Sequence, residues 1–440
     1  MKYHTFDIHT LGCKVNIYES DAIAEGLKKG GLREVDFSEK ADVYIINTCT
    51  VTNIADKKSR QMLHRARKLN PEALIVAAGC YVDAARQNES MGRLLSDSSV
   101  DIFVSNKDKK ELAELILKRD REEDSEQDPE QKEGSELELS SISGHTRAFM
   151  KIQDGCNLFC SYCIIPFVRG RLRSRPLGSI VSEARRLSEN GISEIVLSGI
   201  HLSSYGGDVS LLDVVRGLND IEGIKRIRLG SLEPRLITEE FAGELSEVEK
   251  LCPGFHLALQ SGSDSVLKRM RRRYTVEEYK KSCGYLRKYF DKPTITTDII
   301  VGFPMETEEE FADTMSLVEE LRLYEANVFK YSRRAGTKAD LMEGQIPEEL
   351  KSERSERLLE LVNRVSAEVR RDYLGGRLEM LCEERKLIGG ESFMTGYSRE
   401  YIRCAVRDED GLMGQNELKS GIAKEIFNEK DMDEYLLLRL

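Results

Sequence analysis

Three absences narrow the reading. No uncharged apolar run approaches the ~18–20 residues that a membrane-spanning helix needs; the longest, Ala73–Val82 and Leu158–Val168, are of strand length. The N-terminus, Met1-Lys2-Tyr3-His4-Thr5-Phe6-Asp7, has no apolar core of a secretory signal. There is also no basic excess: the net charge is -11, whereas a nucleic-acid partner normally leaves a basic footprint. A cytoplasmic chain is therefore expected, and 440 residues make about three domains at roughly 100–200 residues each. Ten cysteines without a secretory signal point to metal or catalysis rather than disulfides.

The charge is unevenly spread. Residues 118–145 hold ten acidic and four basic side chains, and no aromatics. They read as a solvated, flexible linker. Residues 1–117 are neutral, with seventeen of each sign. Basic clusters survive within that average: Lys57, Lys58, Arg60, Arg65, Arg67 and Lys68; then Arg169, Arg171, Arg173 and Arg175; then Lys268, Arg269, Arg271, Arg272 and Arg273. Any one alone reads as a solvated face. Three together, two beside candidate chemistry, are compatible with a phosphate-bearing partner.

Residues 1–117 alternate strand-like and helix-like runs. Tyr3–Thr10 stops at Leu11-Gly12-Cys13, Asp42–Asn47 at Thr48-Cys49, and Leu74–Ala78 at Gly79-Cys80. Helical candidates around Glu19–Lys29 and Asp56–Leu69 separate them. This order predicts a doubly wound parallel sheet, whose ligands sit beyond the carboxyl ends of the strands. A lone cysteine there would be a buried structural thiol. Three at equivalent places point to a metal, because convergent thiolates repel unless a cation neutralises them. A structural zinc wants four ligands and no fourth is evident; three thiolates leave one iron of a [4Fe-4S] cluster open.

After a strand at Arg147–Ile152 comes Asp154-Gly155-Cys156-Asn157-Leu158-Phe159-Cys160-Ser161-Tyr162-Cys163, a C-x3-C-x2-C loop. It resembles the signature of the radical S-adenosylmethionine (SAM) enzymes, in which the open iron chelates SAM and the reduced cluster cleaves it. Further strands are expected at Glu194–Leu197, Arg226–Leu229, His256–Leu259, Thr296–Val301 and Asn327–Lys330, with helices between them, such as Ile180–Glu189, Val276–Tyr289 and Glu308–Leu321. Six β-α units match a partial (β/α)6 barrel, with the cysteine loop at the face where barrel chemistry sits. Gly199, Gly230, Gly262 and Gly302 end strands, where a nucleoside could approach backbone or where a turn simply needs glycine. No side-chain acid or base stands out: His201 and His256 read as hydrogen-bonded structural residues.

A helix is expected over Pro347–Tyr373. Beyond it, short strands at Arg377–Cys382, Tyr401–Val406 and Ile422–Phe427 predict a small, OB-like β-barrel. Cys252, Cys283, Cys382 and Cys404 read as core thiols.

With these motifs together, the sequence resembles the radical SAM methylthiotransferases over nearly its whole length. The matching segments are TLGCKVNIYES, NTCTVTNIADKKSR, GCY at 79–81, KIQDGCNLFCSYCIIPFVRGRLRSR, LQSGSDSVLKRM and TDIIVGFPMET. The resemblance implies an α/β multidomain chain. A methylthiotransferase N-terminal domain (1–117), the linker (118–145), a radical SAM domain with its following helix (146–373) and a TRAM-like barrel (374–440) would follow in order. It implies SAM and two [4Fe-4S] clusters, one on Cys156, Cys160 and Cys163 and an auxiliary one on Cys13, Cys49 and Cys80. One SAM would donate a methyl to cluster-associated sulfur; a second would generate the radical that removes hydrogen from carbon.

TLGCKVNxYES is closest to the branch acting on N6-threonylcarbamoyladenosine of tRNA, whereas the isopentenyladenosine branch more usually reads YGCQMN and the ribosomal-protein branch SLGCPKN. The expected target is then C2 of the adenosine immediately 3′ of the anticodon, position 37. The expected partners are the tRNA anticodon stem-loop and an unidentified reductant and sulfur donor, with no membrane and a monomeric chain. The Arg169–Arg175 run and the Lys57–Lys68 stretch would receive stem phosphates. Residues 376–440, with fourteen acids and ten bases, depart from a basic RNA-binding domain. They keep isopentenyladenosine and a ribosomal-protein aspartate as alternative substrates. A non-catalytic iron–sulfur RNA-binding protein is the alternative of another class.

Overall fold

The computed structural model describes residues 2–121, 137–142, 146–408, 410–428 and 434–440. The first sheet holds β1 (Thr5–Thr10), β2 (Arg33–Glu34), β3 (Val43–Thr48), β4 (Leu74–Gly79) and β5 (Ile102–Val104), ordered β2-β1-β3-β4-β5. All its pairings are parallel. Strands β3 and β4 are buried at every residue, as expected of strands covered on both faces. The side-chain alternation shows the two covers. Val43, Ile45 and Val76 pack with Leu27 of α1 (Lys14–Lys29), whereas Tyr44, Ile46 and Ile75 pack with Leu63 of α2 (Asn53–Leu69) and Tyr81 of α3 (Cys80–Gln87). Strands β2 and β5 escaped the sequence reading because two or three residues carry no periodicity.

The central strands are β6 (Arg147–Asp154), β7 (Arg173–Ser174), β8 (Glu194–Gly199), β9 (Arg226–Leu229), β10 (Ser231–Leu232), β11 (Gly254–Leu257), β12 (Thr294–Val301) and β13 (Glu325–Lys330). They form two four-stranded sheets, β7-β6-β8-β9 and β10-β11-β12-β13. A parallel bridge between Ile227 and Leu251 links the two. Apart from the antiparallel β7 edge, every pairing is parallel. One apolar cluster joins these strands to their helices and includes Leu358, Leu361 and Val365 of the helix Glu348–Arg371.

The remaining strands, β14 (Arg377–Ile388), β15 (Glu391–Ser398), β16 (Arg403–Arg407), β17 (Leu418–Asn428) and β18 (Glu434–Arg439), close into a barrel ordered β14-β15-β16-β18-β17. Strands β15 and β18 were not expected. This barrel docks on the starts of the central strands: Arg226 donates to the carbonyls of Glu379 and Tyr397, Arg228 to those of Ser398 and Arg399, and Arg147 pairs with Glu383 at 2.8 Å. It therefore lies opposite the strand ends that carry the cysteine loop. Cys252, Cys283, Cys382 and Cys404 are buried, and burial pushes the Cys283 thiol up to about 12.

The expected linker needs correction at its ends. Residues 122–136 and 143–145 lie outside the described residues, but Leu112–Asp120 is helical and Asp120 accepts a bond from the Tyr3 amide at 2.6 Å. Leu139 is 1% exposed, and its amide donates to Glu183; the Ser140 amide donates to Glu25. Two leucines among the acids were enough to dock this strap, a signal that net charge hides.

Candidate active site

Each N-terminal cysteine stands where a parallel strand hands over to a helix. Cys13 is the N-cap residue of α1, Cys49 follows β3 and precedes the Thr52 cap of α2, and Cys80 opens α3. Helix N-termini favour thiolate over thiol. Gly12, at φ +105°, permits the approach: a Cβ there would lie 2.9 Å from the Cys49 Cβ and 3.0 Å from its Sγ. Burial pushes the Cys49 thiol up to about 11, and Cys80 and Cys13 add to the effect. The three sulfurs thus share one electrostatic site. Asn106 donates its side-chain amide to Cys80 Sγ at 3.5 Å and to the Val168 carbonyl at 3.2 Å.

The second triad curls out of β6. Gly155, at φ +71°, lets the loop pass under Arg171, where a Cβ would stand 2.0 Å from the carbonyl oxygen. The Leu158 amide donates to Cys156 Sγ at 3.4 Å, and Arg272 Nη1 donates to Cys160 Sγ at 3.2 Å. Burial pushes the Cys163 thiol up to about 12, with Cys160 and Cys156 contributing. Arg272 also binds Glu233 at 2.8 Å, and Glu233 lies 3.2 Å from His201 Nε2. Burial works to raise the Glu233 carboxyl, but His201 and Arg272 hold it below its usual value. The basic run at 268–273 thus supplies a cation to a sulfur, which sequence reading missed because Glu233 and Cys160 are distant along the chain.

The two loops meet. Cys80 and Tyr81 share one apolar cluster with Ile164 and Val168, which closely follow Cys163. A buried ionic knot sets this junction. Glu19 of α1, 1% exposed, binds Lys109 at 2.7 Å, Lys151 at 3.0 Å and Arg169 at 2.9 Å, and Arg169 reaches Asp154 at 3.2 Å. Arg175 is likewise buried on Glu183 at 2.6 Å. The expectation that the whole Arg169–Arg175 run faces phosphate is therefore corrected: tertiary contact with Glu19 and Glu183 takes Arg169 and Arg175 inside, and Arg171 and Arg173 stay outside. In α2, Lys57, Lys58, Arg65 and Lys68 are exposed, whereas Arg60 binds Tyr81 and Arg67 binds Asp101. Gly199, Gly230, Gly262 and Gly302 each have a packing reason. A Cβ at Gly262 would lie 2.5 Å from the Thr314 Cα, and one at Gly302 would lie 2.3 Å from Lys351 Cγ.

The donor set fits iron–sulfur chemistry better than a single ion. Among the described residues, no three His, Cys, Asp or Glu side chains gather closely enough to ligate one metal. A cubane instead spreads its thiolates over separate irons. The amide and guanidinium donors aimed at Cys80, Cys156 and Cys160 suit sulfur that carries charge.

Parallel β/α units with three thiols in a loop after the first central strand define a radical SAM enzyme, and residues 150–318 match the radical SAM superfamily. Residues 5–104 match the uncharacterized protein family UPF0004. The chain belongs to the tRNA methylthiotransferase family. It is 39% identical to the threonylcarbamoyladenosine tRNA methylthiotransferase MtaB of Bacillus subtilis (strain 168), over 93% of this chain and 92% of that one. It is 36% identical to the MtaB of Aquifex aeolicus (strain VF5), over 86% and 93%. It is 34% identical to the tRNA-2-methylthio-N(6)-dimethylallyladenosine synthase of Finegoldia magna, over 93% and 90%. Among solved structures, the cobalamin- and [4Fe-4S]-bound radical SAM methyltransferase TsrM of Kitasatospora setae shares the fold at 16% identity, with a TM-score of 0.53 over 77% of each chain. The protein is an enzyme whose cofactors are SAM and two [4Fe-4S] clusters. No helix among the described residues is long and apolar enough to cross a membrane.

Proposed function

We propose that this enzyme converts N6-threonylcarbamoyladenosine of tRNA to its 2-methylthio derivative at position 37, in the cytoplasm and as a monomer. Cys156, Cys160 and Cys163 would hold the SAM cluster, and Cys13, Cys49 and Cys80 the auxiliary one. The observation that carries this reading is the packing of the Cys80 turn against the segment that follows Cys163, in a chain whose relatives at 39% and 36% identity are named threonylcarbamoyladenosine tRNA methylthiotransferases. When bound, these groups supply one-electron cleavage of SAM for hydrogen abstraction and a sulfur that carries the methyl.

The protein's own work is placement. Arg272 orients the Cys160 sulfur and ties it to Glu233 and His201. The Glu19 knot fixes the N-terminal sheet against the central strands, so the two sulfur sets keep their separation. Exposed Lys57, Lys58, Arg65 and Lys68, with Arg171, Arg173, Arg271 and Arg273, are available for backbone phosphates of the anticodon stem. The C-terminal barrel, read as a TRAM, OB-like module inside an N-terminal doubly wound sheet and partial (β/α)6 plan, pairs bases with its own acids: Arg385 with Asp408, Arg407 with Glu391 and Lys419 with Glu417. Its first job is to seal the lower end of the central strands. An outside reductant and sulfur donor complete the cycle.

The test is anaerobic turnover by reconstituted enzyme of two anticodon stem-loops, one bearing threonylcarbamoyladenosine and one isopentenyladenosine. Methylthiolation of the first by at least tenfold over the second is expected. The reverse preference, or product on a ribosomal protein alone, would overturn the substrate assignment.

A further inference from the structure

The residue after Cys13 is Lys14. Its ammonium lies 5.8 Å above the ring of Phe149 on β6, and both line a cavity of about 310 Å³ between the central strands and Tyr397, Tyr401 and Arg403 of the C-terminal barrel. This cavity is polar. His256 lies 3.2 Å from Asp298 and 3.0 Å from Thr296 Oγ1, and the Asn327 side chain donates to Asp298 at 2.9 Å. Burial works to raise the Asp298 carboxyl, but His256, Asn327 and Lys14 hold it below its usual value.

The other cations lining the cavity are committed. Arg228 is held by Glu194 at 2.7 Å and by two carbonyls of the C-terminal barrel. Arg403 faces Tyr397 and Glu325, and His256 faces Asp298. Lys14 is exposed, and no carboxylate lies within ion-pair distance of it among the described residues. Asp298 acts on Lys14 only at a distance and is itself bonded by His256 and Asn327, so the ammonium is left to meet an anion brought by a ligand.

The substrate chemistry supplies one. Methylthiolation occurs at C2 of adenine, and C2 and C6 flank the same ring nitrogen, so a substituent on N6 lies beside the reacting carbon. A residue adjacent to an auxiliary-cluster cysteine is therefore placed to meet that substituent. The threonylcarbamoyl group carries a free carboxylate, a hydroxyl and carbamoyl groups; an isopentenyl group is hydrocarbon. Resting on the substrate reading above, we infer that Lys14 binds the threonyl carboxylate, and that Thr296 and Asn327 meet the remaining polar atoms. Lys14 is thus the residue that selects the charged N6 group. A hydrocarbon substituent would bring the Lys14 ammonium no counter-charge while taking it out of water, and a charged group left unpaired in this way rejects a wrong ligand strongly.

The test measures Kd for holoenzyme on three synthetic stem-loops that differ only at position 37: threonylcarbamoyladenosine, its neutral carboxamide, and adenosine. Wild type should bind the first about 10–100-fold tighter than the second, as a charge-assisted hydrogen bond implies. Lys14→Gln should bring these two affinities within about twofold, and Lys14→Arg should keep most of the difference. Equal weakening of all three loops by Lys14→Gln, or an undiminished preference, would overturn the role of Lys14 while leaving the substrate reading intact. Loss of iron from Lys14→Gln would place the ammonium with the thiolates and overturn it too. If wild type does not distinguish the first loop from plain adenosine, the substrate reading itself fails and takes this inference with it.

Discussion

Replacing Cys13 with alanine is expected to abolish methylthiolation while SAM cleavage to 5′-deoxyadenosine continues. The reasoning is positional. Cys13 belongs to the site formed with Cys49 and Cys80 at the ends of β1, β3 and β4, and none of the contacts made by Cys156, Cys160 or Cys163 passes through it. Its thiol is the exposed member of its set, so its loss leaves no large cavity. Cys160→Ala should instead remove both activities, because the substrate carbon accepts the methylthio group only after the radical from SAM cleavage has removed its hydrogen. Both are read by anaerobic single-turnover assay, with 5′-deoxyadenosine and modified nucleoside quantified together. Loss of SAM cleavage in Cys13→Ala, at unchanged fold by circular dichroism, would contradict the division of labour between the triads.

The second large effect is expected at Glu19. Its carboxylate is buried among Lys109, Lys151 and Arg169, and Glu19→Gln would leave Lys109 without its ion-pair partner and Lys151 and Arg169 sharing Asp154. Removing one partner of a buried ion pair costs about 3–5 kcal/mol. Unfolding of anaerobic holoprotein in urea should show a loss of that order at neutral pH. The pH dependence has a definite sign. Burial works to raise the Glu19 carboxyl, but Arg169, Lys109 and Lys151 hold it well below its usual value. Its stabilising contribution is therefore complete above the ordinary glutamate value of about 4.3 and is lost as pH falls through the lower folded value. The gap between wild type and Glu19→Gln should stay constant from neutral pH to about 5 and narrow only below about 4. A gap under about 1 kcal/mol, the range of a surface pair, would contradict the knot's role.

Much of the chemistry was legible in the sequence because it is local. Strands ending in Gly12-Cys13, Cys49 and Gly79-Cys80 announce one sheet edge, and C-x3-C-x2-C fits in a single loop. What was illegible is what tertiary contact decides. Arg169 and Arg175 look like their neighbours Arg171 and Arg173 until the chain brings Glu19 and Glu183 to them. Arg272 sits in a charged run that reads as surface, yet it donates to Cys160. Lys14 is part of the motif that carries the resemblance, but only the packing of α1 on β6 turns it toward Phe149. The helix starts were also missed, at Lys14 and Asn53 rather than near Glu19 and Asp56. The first turns there follow cysteine and threonine caps rather than apolar periodicity. The strap at 137–142 was hidden by acidic composition, although Leu139 is buried.

The opening -11 thus resolves into acids that tie cations down and a smaller set of exposed lysines and arginines around the two triads. The central claim is the modification of threonylcarbamoyladenosine. Its most direct test is mass spectrometry of tRNA nucleosides from cells with and without this protein. Loss of 2-methylthio-threonylcarbamoyladenosine, with accumulation of its unmethylthiolated precursor and recovery on re-expression, is the predicted result. An unchanged level of that nucleoside would contradict it.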